Sequence, residues 1–193
     1  RLSQALRLPG EPCWLQQVHG TQVVEVRSFA EPPVADASFT TGIGKVCVVM
    51  TADCLPVLFC TRHGDRVAVA HAGWRGLVSG VLETTVRTLD CPSSQLLAWL
   101  GPAIGCESFE VGDEVYEAFT VRNGSNSACF VRNDNQRWWA DLHGLAHNEL
   151  RQLGVCNIFN EAACTVNDAS QFFSYRRDGQ TGRMASMIWL QPQ

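Results

Sequence analysis

The pattern of hydrophobic and polar positions along this chain predicts many short strands and only a few helices. Near-continuous runs of β-branched and apolar residues, which are typical of buried strands, cover 46–50, 55–60, 66–70 and 96–100. A polar turn at 63–65 separates the second run from the third, and this spacing predicts a β-hairpin. Shorter or more polar extended segments are predicted at 21–26, 35–41, 158–159, 163–166 and 184–190.

Three helices are predicted from apolar residues that recur every three or four positions. The first begins after Gly73 and runs to about residue 90, and the second covers 110–119. The third covers 141–153, where Asp141 suits the N-cap and Gly154 suits the position just beyond the helix end. Strands outnumber helices in this pattern, so a mixed α/β or an α+β fold is expected.

The composition is that of an ordinary globular protein, and we expect a single domain that spans 1–193. Hydrophobic residues make up 46% of the chain and charged residues 18%, which allows a sizeable core. The formal net charge is −4 and no basic cluster is present, which argues against nucleic acid as a partner. No apolar stretch approaches the roughly 20 residues that a membrane span requires.

The cysteines and the start of the chain add two expectations. Nine cysteines, an odd number without a CxxC pair, favour reduced thiols and a cytoplasmic protein over a secreted disulfide framework. The first eight residues look like the end of a helix that Pro9 and Gly10 stop, and the chain starts at Arg1 rather than at Met. We therefore expect that an N-terminal segment is missing from this sequence.

Chemically active side chains follow two of the predicted strands, where the chain enters a loop. Cys54 comes after the 46–50 strand and His71 after the 66–70 strand, and α/β proteins place functional groups in such loops. Together with His19 they form a set that can bind zinc and leave a fourth position open. Their wide spacing is unlike that of a zinc finger, and nine cysteines and five histidines offer many such triples. Separate roles for the three residues are therefore the alternative.

Further candidate residues lie close to these three in the sequence or in later loops. Asp53 is interpreted as a general base or as a carboxylate behind the metal ligands, and the alternative is a turn-capping aspartate. Arg75 opens the predicted helix after Gly73, where its guanidinium and free backbone N–H groups suit an anion. Arg176 and its neighbour Arg177 suit phosphate binding, with a solvated loop as the alternative. The remaining histidines are predicted to be structural or solvent-exposed: His63, His143 and His147.

Five motifs occur in an order that resembles a known protein family. In chain order they are Gln17-Val18-His19-Gly20, Thr51-Ala52-Asp53-Cys54, His71-Ala72-Gly73-Trp74-Arg75-Gly76, Gly101-Pro102-x-Ile104-Gly105 with Phe109-Glu110-Val111-Gly112, and Phe172-Phe173-Ser174-Tyr175-Arg176-Arg177. From Cys13 to Leu190 the chain resembles the family described as multicopper polyphenol oxidoreductase or laccase domain proteins. Members of that family are better described as zinc-dependent purine nucleoside phosphorylases.

The resemblance implies a metal site and a reaction. The zinc ligands would be His19, Cys54 and His71, the same set that the strand-end positions suggest. The substrates would be purine nucleosides and phosphate, with phosphorolysis of adenosine, inosine, guanosine and methylthioadenosine and hydrolytic deamination of adenosine. Arg75 and Arg176 would hold phosphate near the ribose C1′, and Asp53 would move protons.

The same resemblance implies the fold and sharpens the expectation about the N-terminus. The expected architecture is α+β, with two mixed β-sheets packed between helices in a layered α/β/β/α sandwich. Family members carry an upstream glycine-rich segment that this sequence lacks. If that segment lines the pocket, this chain would be less active than the longer protein.

Other functions stay open at the level of the sequence. Copper binds such sites more tightly than zinc, so a His-Cys-His copper site could give a polyphenol oxidoreductase. A conventional multicopper oxidase needs many more histidines than the five present. A nucleophilic dyad of Cys54 and His71 would suit a metal-free hydrolase. A metal-stabilised domain that binds without turnover is the last alternative.

Overall fold

The computed structural model describes residues 2–161 and 163–192, which form an α+β protein as predicted. The strands are β1 (Pro12–Cys13), β2 (Val23–Glu25), β3 (Ala37–Thr40), β4 (Val46–Thr51), β5 (Leu55–Thr61), β6 (Val67–Ala72), β7 (Leu96–Leu100), β8 (Glu110–Val111), β9 (Phe130–Arg132), β10 (Trp138–Ala140), β11 (Asn157–Asn160) and β12 (Met184–Trp189). The α-helices are α1 (Leu2–Ala5), α2 (Trp74–Ser79), α3 (Val81–Thr88), α4 (Asp113–Arg122), α5 (Leu142–Gln152) and α6 (Tyr175–Asp178). Short 3-10 helices cover Ser93–Gln95 and Gly124–Cys129.

The strands form two mixed sheets and one small antiparallel sheet. The largest sheet has the order β11-β7-β5-β6-β3-β2, with parallel pairs at its two edges and antiparallel pairs between them. In the second sheet, β4 pairs with β1 in parallel and with β12 in antiparallel orientation. The third sheet has the order β8-β10-β9.

The two mixed sheets pack against each other, and helices cover the opposite face of the larger sheet. Neighbouring residues of β6 show this because successive side chains of a strand point to opposite faces. Val69 lies in a buried cluster with Val49 of β4. Ala70 lies in a second cluster with Leu77 of α2 and Leu82 of α3. Burial on both faces explains why this strand reads as an unbroken apolar run.

The helix predicted after Gly73 is interrupted, and the one predicted at 110–119 begins later than expected. Gly80 has φ +97°, a left-handed conformation that glycine adopts without steric strain, so it ends α2 and starts α3. Glu110 and Val111 pair with β10 as a strand, which delays α4 to Asp113. Both errors arise because helical periodicity alone does not show where a chain turns or pairs.

The predicted strand at 163–166 is wrong. Cys164 makes only an isolated bridge to Ala103, and the next residues form a turn. The third sheet was not predicted, because its strands span two or three residues each. A period of two residues leaves no readable pattern in such short segments.

The remaining helix predictions agree with the structure where it is described. In α5 the Asp141 carboxylate accepts a hydrogen bond from the Gly144 N–H, and Gly154 has φ +83°. The predicted N-terminal helix is present as α1, while Arg1 lies outside the described residues. Among the helices described, none combines the length and the apolar composition needed to cross a bilayer.

Candidate metal centre

Two loops and the end of strand β6 bring His19, Cys54 and His71 together, so His71 lies within a strand and not in the loop that the sequence predicted. The first loop lies between β1 and β2, and the second is the turn between β4 and β5. Because β5 and β6 are antiparallel neighbours with Leu55 opposite Ala72, the residue before β5 lies beside the end of β6. One ligand atom from each of the three side chains lies within 4.8 Å of the others. We call this group the His-Cys-His triad.

The carboxylate of Asp36 supports two members of the triad. Asp36 is fully buried and immediately precedes β3. One oxygen lies 2.8 Å from His71 Nδ1 and accepts the His19 backbone N–H at 2.9 Å. The other accepts the N–H groups of Val18 and Gly20 at 3.1 and 2.7 Å. Burial would raise the pKa of Asp36, but these hydrogen bonds lower it below the ordinary value.

The electrostatics of the triad favour a thiolate. Burial by itself raises the pKa of Cys54, but hydrogen bonds and positive charge from His19 and His71 outweigh it and lower this pKa to about 6. Burial lowers the pKa of His71, whereas Asp36 and Cys54 raise it to about 9. A thiolate is the form of cysteine that binds metal, and a metal ion would take the place of a proton on the His71 ring.

Gly73 allows the three segments that carry the triad to approach closely. A Cβ atom built on this residue would lie 2.6 Å from His19 Cδ2 and 3.0 Å from Cys54 Sγ. The side chain of Gln17 fixes the first loop from the other side. Its amide donates to the Met50 carbonyl at 2.8 Å and its oxygen accepts the Met50 N–H at 2.7 Å. The first loop is therefore held against the strand that leads to Cys54.

The triad opens toward solvent on one side. His71 is buried, Cys54 is half-buried and His19 is exposed. This open side faces a cavity of about 580 Å³ whose wall includes the aromatic rings of Trp74 and Phe109. An open position beside three protein ligands is typical of catalytic rather than structural zinc sites. The donor set of two imidazoles and one thiolate suits zinc or copper.

Arginine side chains lie at the rim of the cavity. Arg75 and Arg176 were predicted at the site, whereas Arg183 was not, and all three line the cavity. The Arg75 guanidinium lies 4.4 Å from the Trp74 ring centroid and forms no ion pair with any described residue. The Arg176 guanidinium donates to the carbonyls of Ser108 and Glu110, at 3.0 and 3.2 Å. Arg75 is therefore the guanidinium with more free donors for a ligand.

Asp53 lines the same cavity, but both of its carboxylate oxygens accept hydrogen bonds. One accepts the Thr165 hydroxyl at 2.6 Å and the other the Arg176 backbone N–H at 2.6 Å. Its backbone has φ +86° in the turn before Cys54. These contacts join the turn that carries Cys54 to the segment that carries Arg176.

Other residues considered from the sequence lie apart from the triad. Arg177 pairs with Asp178 at 2.8 Å and donates to nearby carbonyls, so its guanidinium is committed to its own loop. His143 lies 2.9 Å from the Gly101 carbonyl. His63 is exposed, as its turn position predicted, whereas His147, which was predicted to be structural, is also exposed. All nine cysteines have free thiols.

Two functional features could not be assigned from the sequence. Asp36 was not predicted to belong to the site. A single acidic residue between two alanines before an apolar strand is nevertheless a signal, because a carboxylate is rarely buried unless it has partners. Arg183 follows Gly182 in a polar segment that resembles any solvated loop. Arg183 reaches the cavity only because the chain passes it just before β12, and the sequence does not show this path.

The chain belongs to a family described as multi-copper polyphenol oxidoreductase laccase, whose profile matches residues 1–191. This confirms the family that the five motifs suggest. The family description names copper and phenol oxidation, whereas the relatives with curated names are described differently.

Two bacterial relatives are named purine nucleoside phosphorylases. The chain is 52% identical over 193 residues to YfiH of Escherichia coli K12, a match that covers 98% of this chain and 78% of the relative. It is 50% identical over 189 residues to a protein of Pseudomonas aeruginosa, covering 96% and 76%. The crystal structure of Neisseria meningitidis protein NMB0706 matches with a TM-score of 0.95 at 45% identity, covering 99% of this chain and 78% of that one.

Proposed function

We propose that this protein is a zinc-dependent purine nucleoside phosphorylase that also deaminates adenosine. The observation that carries the proposal is the His-Cys-His triad, open toward a cavity whose rim holds unpaired arginine donors. The names of relatives at about half identity support the same class of reaction. The free thiols and the nucleoside substrates also fit a cytoplasmic enzyme.

Phosphorolysis joins phosphate to the ribose C1′ and breaks the bond from C1′ to the purine nitrogen. The protein must bind a phosphate dianion beside the ribose and hold the base in an orientation that lets it leave. Arg75 supplies the free guanidinium for phosphate, and Arg176 supplies whichever donors its carbonyl contacts leave unused. The rings of Trp74, Phe109 and Tyr175 offer apolar surface for the purine. α2 has only six residues, so the proposal relies on the arginines rather than on its helix terminus.

Deamination of adenosine replaces the amino group on purine C6 by oxygen from water. When bound, zinc supplies Lewis-acid chemistry and lowers the pKa of water from 15.7 to about 7. The three side chains of the triad would hold the ion with one position free. Cys54 contributes a negative charge and His71 a neutral imidazole whose other nitrogen faces Asp36.

We assign Asp53 a positioning role rather than the proton-transfer role expected from the sequence. Both of its oxygens accept hydrogen bonds of 2.6 Å, and one of those bonds holds the backbone of Arg176 at the cavity. A carboxylate engaged in this way has less freedom to exchange protons with a substrate. Asp53 therefore supports the phosphate-binding segment.

The test is a pair of assays on metal-analysed protein. Inosine with phosphate should give hypoxanthine and ribose 1-phosphate, and adenosine without phosphate should give inosine and ammonia. Both activities should disappear after treatment with a chelator and return with zinc. Zinc-loaded protein that turns over neither nucleoside would contradict the proposal.

Phenol oxidation by a copper-loaded site is the second candidate, and the family description favours it. The donor set accepts copper, but five histidines in the chain do not provide the several copper centres of a conventional multicopper oxidase. Copper-loaded protein that oxidises phenols faster than the zinc form cleaves nucleosides would favour this candidate. Turnover that persists in metal-free protein would favour a Cys54 nucleophile instead. Bound metal without any turnover would indicate a metal-stabilised binding domain.

A further inference from the structure

Asp36 lies outside the five sequence motifs described above, yet it contacts both histidines of the triad. Its side chain is completely buried, and it accepts three consecutive backbone N–H groups from the loop that carries His19. Its main-chain carbonyl also accepts the His71 N–H at 2.7 Å. Two metal-ligand candidates that are far apart in sequence are thus linked through one residue.

We infer that Asp36 is a positioning residue that sets the geometry of both histidine ligands at once. Through one oxygen it fixes the ring of His71, and through both oxygens it fixes the backbone around His19. The inference rests on the proposed metal site and concerns what preorganises that site before metal binds.

The contact with Asp36 determines which nitrogen of the His71 ring can bind a metal ion. An ionised carboxylate only accepts hydrogen bonds, and the Asp36 carboxylate already accepts three backbone N–H groups. His71 Nδ1, at 2.8 Å, must therefore be the donor in their contact. Nε2 is therefore the nitrogen that would bind a metal ion, in place of any proton it carries. A carboxylate behind a metal-bound histidine commonly fixes the ring and its tautomer in this way.

Asp36 also holds the backbone around His19. This residue has φ +60°, a left-handed conformation that non-glycine residues rarely adopt. In that conformation three successive N–H groups, from Val18 to Gly20, converge on the Asp36 carboxylate. The anion therefore offsets the strain and directs the His19 side chain toward Cys54, whose Sγ lies 3.7 Å from His19 Nε2.

Replacing Asp36 by asparagine would remove one function or the other. An amide group has one acceptor and one donor end. If its NH₂ replaces the oxygen that faces Val18 and Gly20, donors face donors in a buried site. If its NH₂ replaces the other oxygen, the His19 N–H loses its acceptor and His71 must take the tautomer that protonates Nε2. Both arrangements impair a metal ligand while the side-chain volume stays the same.

The first experiment measures zinc affinity by competition with a chromophoric chelator. Asp36→Asn should weaken zinc binding by about 10–100-fold. Asp168→Asn is the matched control, because Asp168 also accepts backbone N–H groups but lies in an exposed loop outside the metal cavity. The control should bind zinc like the wild type. An Asp36→Asn variant that folds and binds zinc within about threefold of the wild type would overturn the inference.

A second measurement, on the wild-type protein, tests the role of Asp36 even if the Asp36→Asn variant does not fold. Nitrogen-15 spectra of the histidine rings should show a slowly exchanging proton on His71 Nδ1, with or without zinc. The amide protons of 18–20 should also be protected. A His71 ring without that proton, or with Nδ1 bonded to the metal, would overturn the inference. If the wild type binds no zinc, the proposed function fails, whereas these proton signals still test the role of Asp36.

Discussion

At the scale of single residues, Cys54 supplies the only anionic ligand of the triad. We predict that Cys54→Ala loses its zinc and both nucleoside activities while keeping its fold. The thiolate is a ligand, but Cys54 is half-buried and belongs to neither buried hydrophobic cluster. Stability should therefore change by no more than about 1 kcal/mol relative to the metal-free wild type. The measurements are zinc content, activity and thermal unfolding.

Cys156→Ala is the control for this prediction, since that thiol is exposed and lies outside the cavity. Retention of zinc together with more than about a tenth of the wild-type rate would show that Cys54 is not a ligand. Retention of zinc with loss of rate would instead favour a nucleophilic role for its sulfur.

Arg75 separates the two proposed reactions, because only phosphorolysis uses phosphate as a substrate. We predict that Arg75→Ala weakens the apparent affinity for phosphate about 10–150-fold, as expected for a lost charge-assisted contact of about 1.5–3 kcal/mol. Deamination of adenosine in the absence of phosphate should be nearly unchanged. Arg87→Ala serves as the control, since Arg87 forms an exposed pair with Glu83 on α3. Equal losses in both reactions would mean that Arg75 has a structural role.

For single residues, the sequence indicated the three members of the triad but not Asp36, which holds two of them in place. Cys54 and His71 follow predicted apolar runs, so their residue types and positions suggested a shared site, and the family resemblance named the same residues together with His19. Asp36 supports the site through contacts with residues 17 and 35 positions away. Long-range pairs of this kind depend on sheet order, which hydrophobic periodicity does not determine.

At the scale of elements, the junction between β6 and α2 must pass very close to the triad. We predict that Gly73→Ala lowers zinc affinity by at least about tenfold, because the added Cβ would overlap His19 and crowd the Cys54 sulfur. The backbone of Gly73 has φ −64° and ψ 154°, which alanine adopts without strain, so the effect should fall on the ligands. Zinc competition measures the affinity.

Gly124→Ala is the corresponding control for Gly73→Ala. A Cβ at Gly124 would meet no atom within 4 Å, and this residue lies in a 3-10 helix outside the cavity. A Gly73→Ala variant with wild-type zinc affinity would show that His19 and Cys54 can move apart without losing the metal.

The elements that the sequence predicted well are the long, strongly apolar ones. β4, β5, β6 and β7 match the predicted runs because their residues are almost all apolar, and in β6 every residue is buried. The break at Gly80 and the short β8 were missed, since a single left-handed glycine or a two-residue pairing barely changes the hydrophobic pattern. The predicted α+β class depended on the family resemblance and not on periodicity, which left α/β open.

At the scale of the whole molecule, one arginine joins the helices that cover the large sheet. Arg122 of α4 donates to the Val78 carbonyl at the end of α2, and it pairs with Glu83 of α3 and Glu149 of α5. The Glu149 side chain is only 11% exposed. Burial raises the pKa of Glu149 to about 7, and the positive charge of Arg122 offsets this increase only in part.

This elevated pKa predicts how stability depends on pH. In the unfolded chain Glu149 releases its proton near its ordinary pKa of 4.5, whereas the folded protein holds the proton up to about pH 7. The folded state therefore binds more protons in this interval, and the contribution of Glu149 to the free energy of unfolding falls as pH rises through it. Glu149→Gln, which cannot ionise, should be more stable than the wild type at about pH 8, by on the order of 1–3 kcal/mol. The advantage should disappear near pH 4.5.

Urea unfolding of both metal-free proteins across this range measures the difference, with Glu117→Gln on the exposed face of α4 as the control. A Glu149→Gln variant that is less stable than the wild type at about pH 8 would show that the Arg122 pair outweighs the burial of the charge.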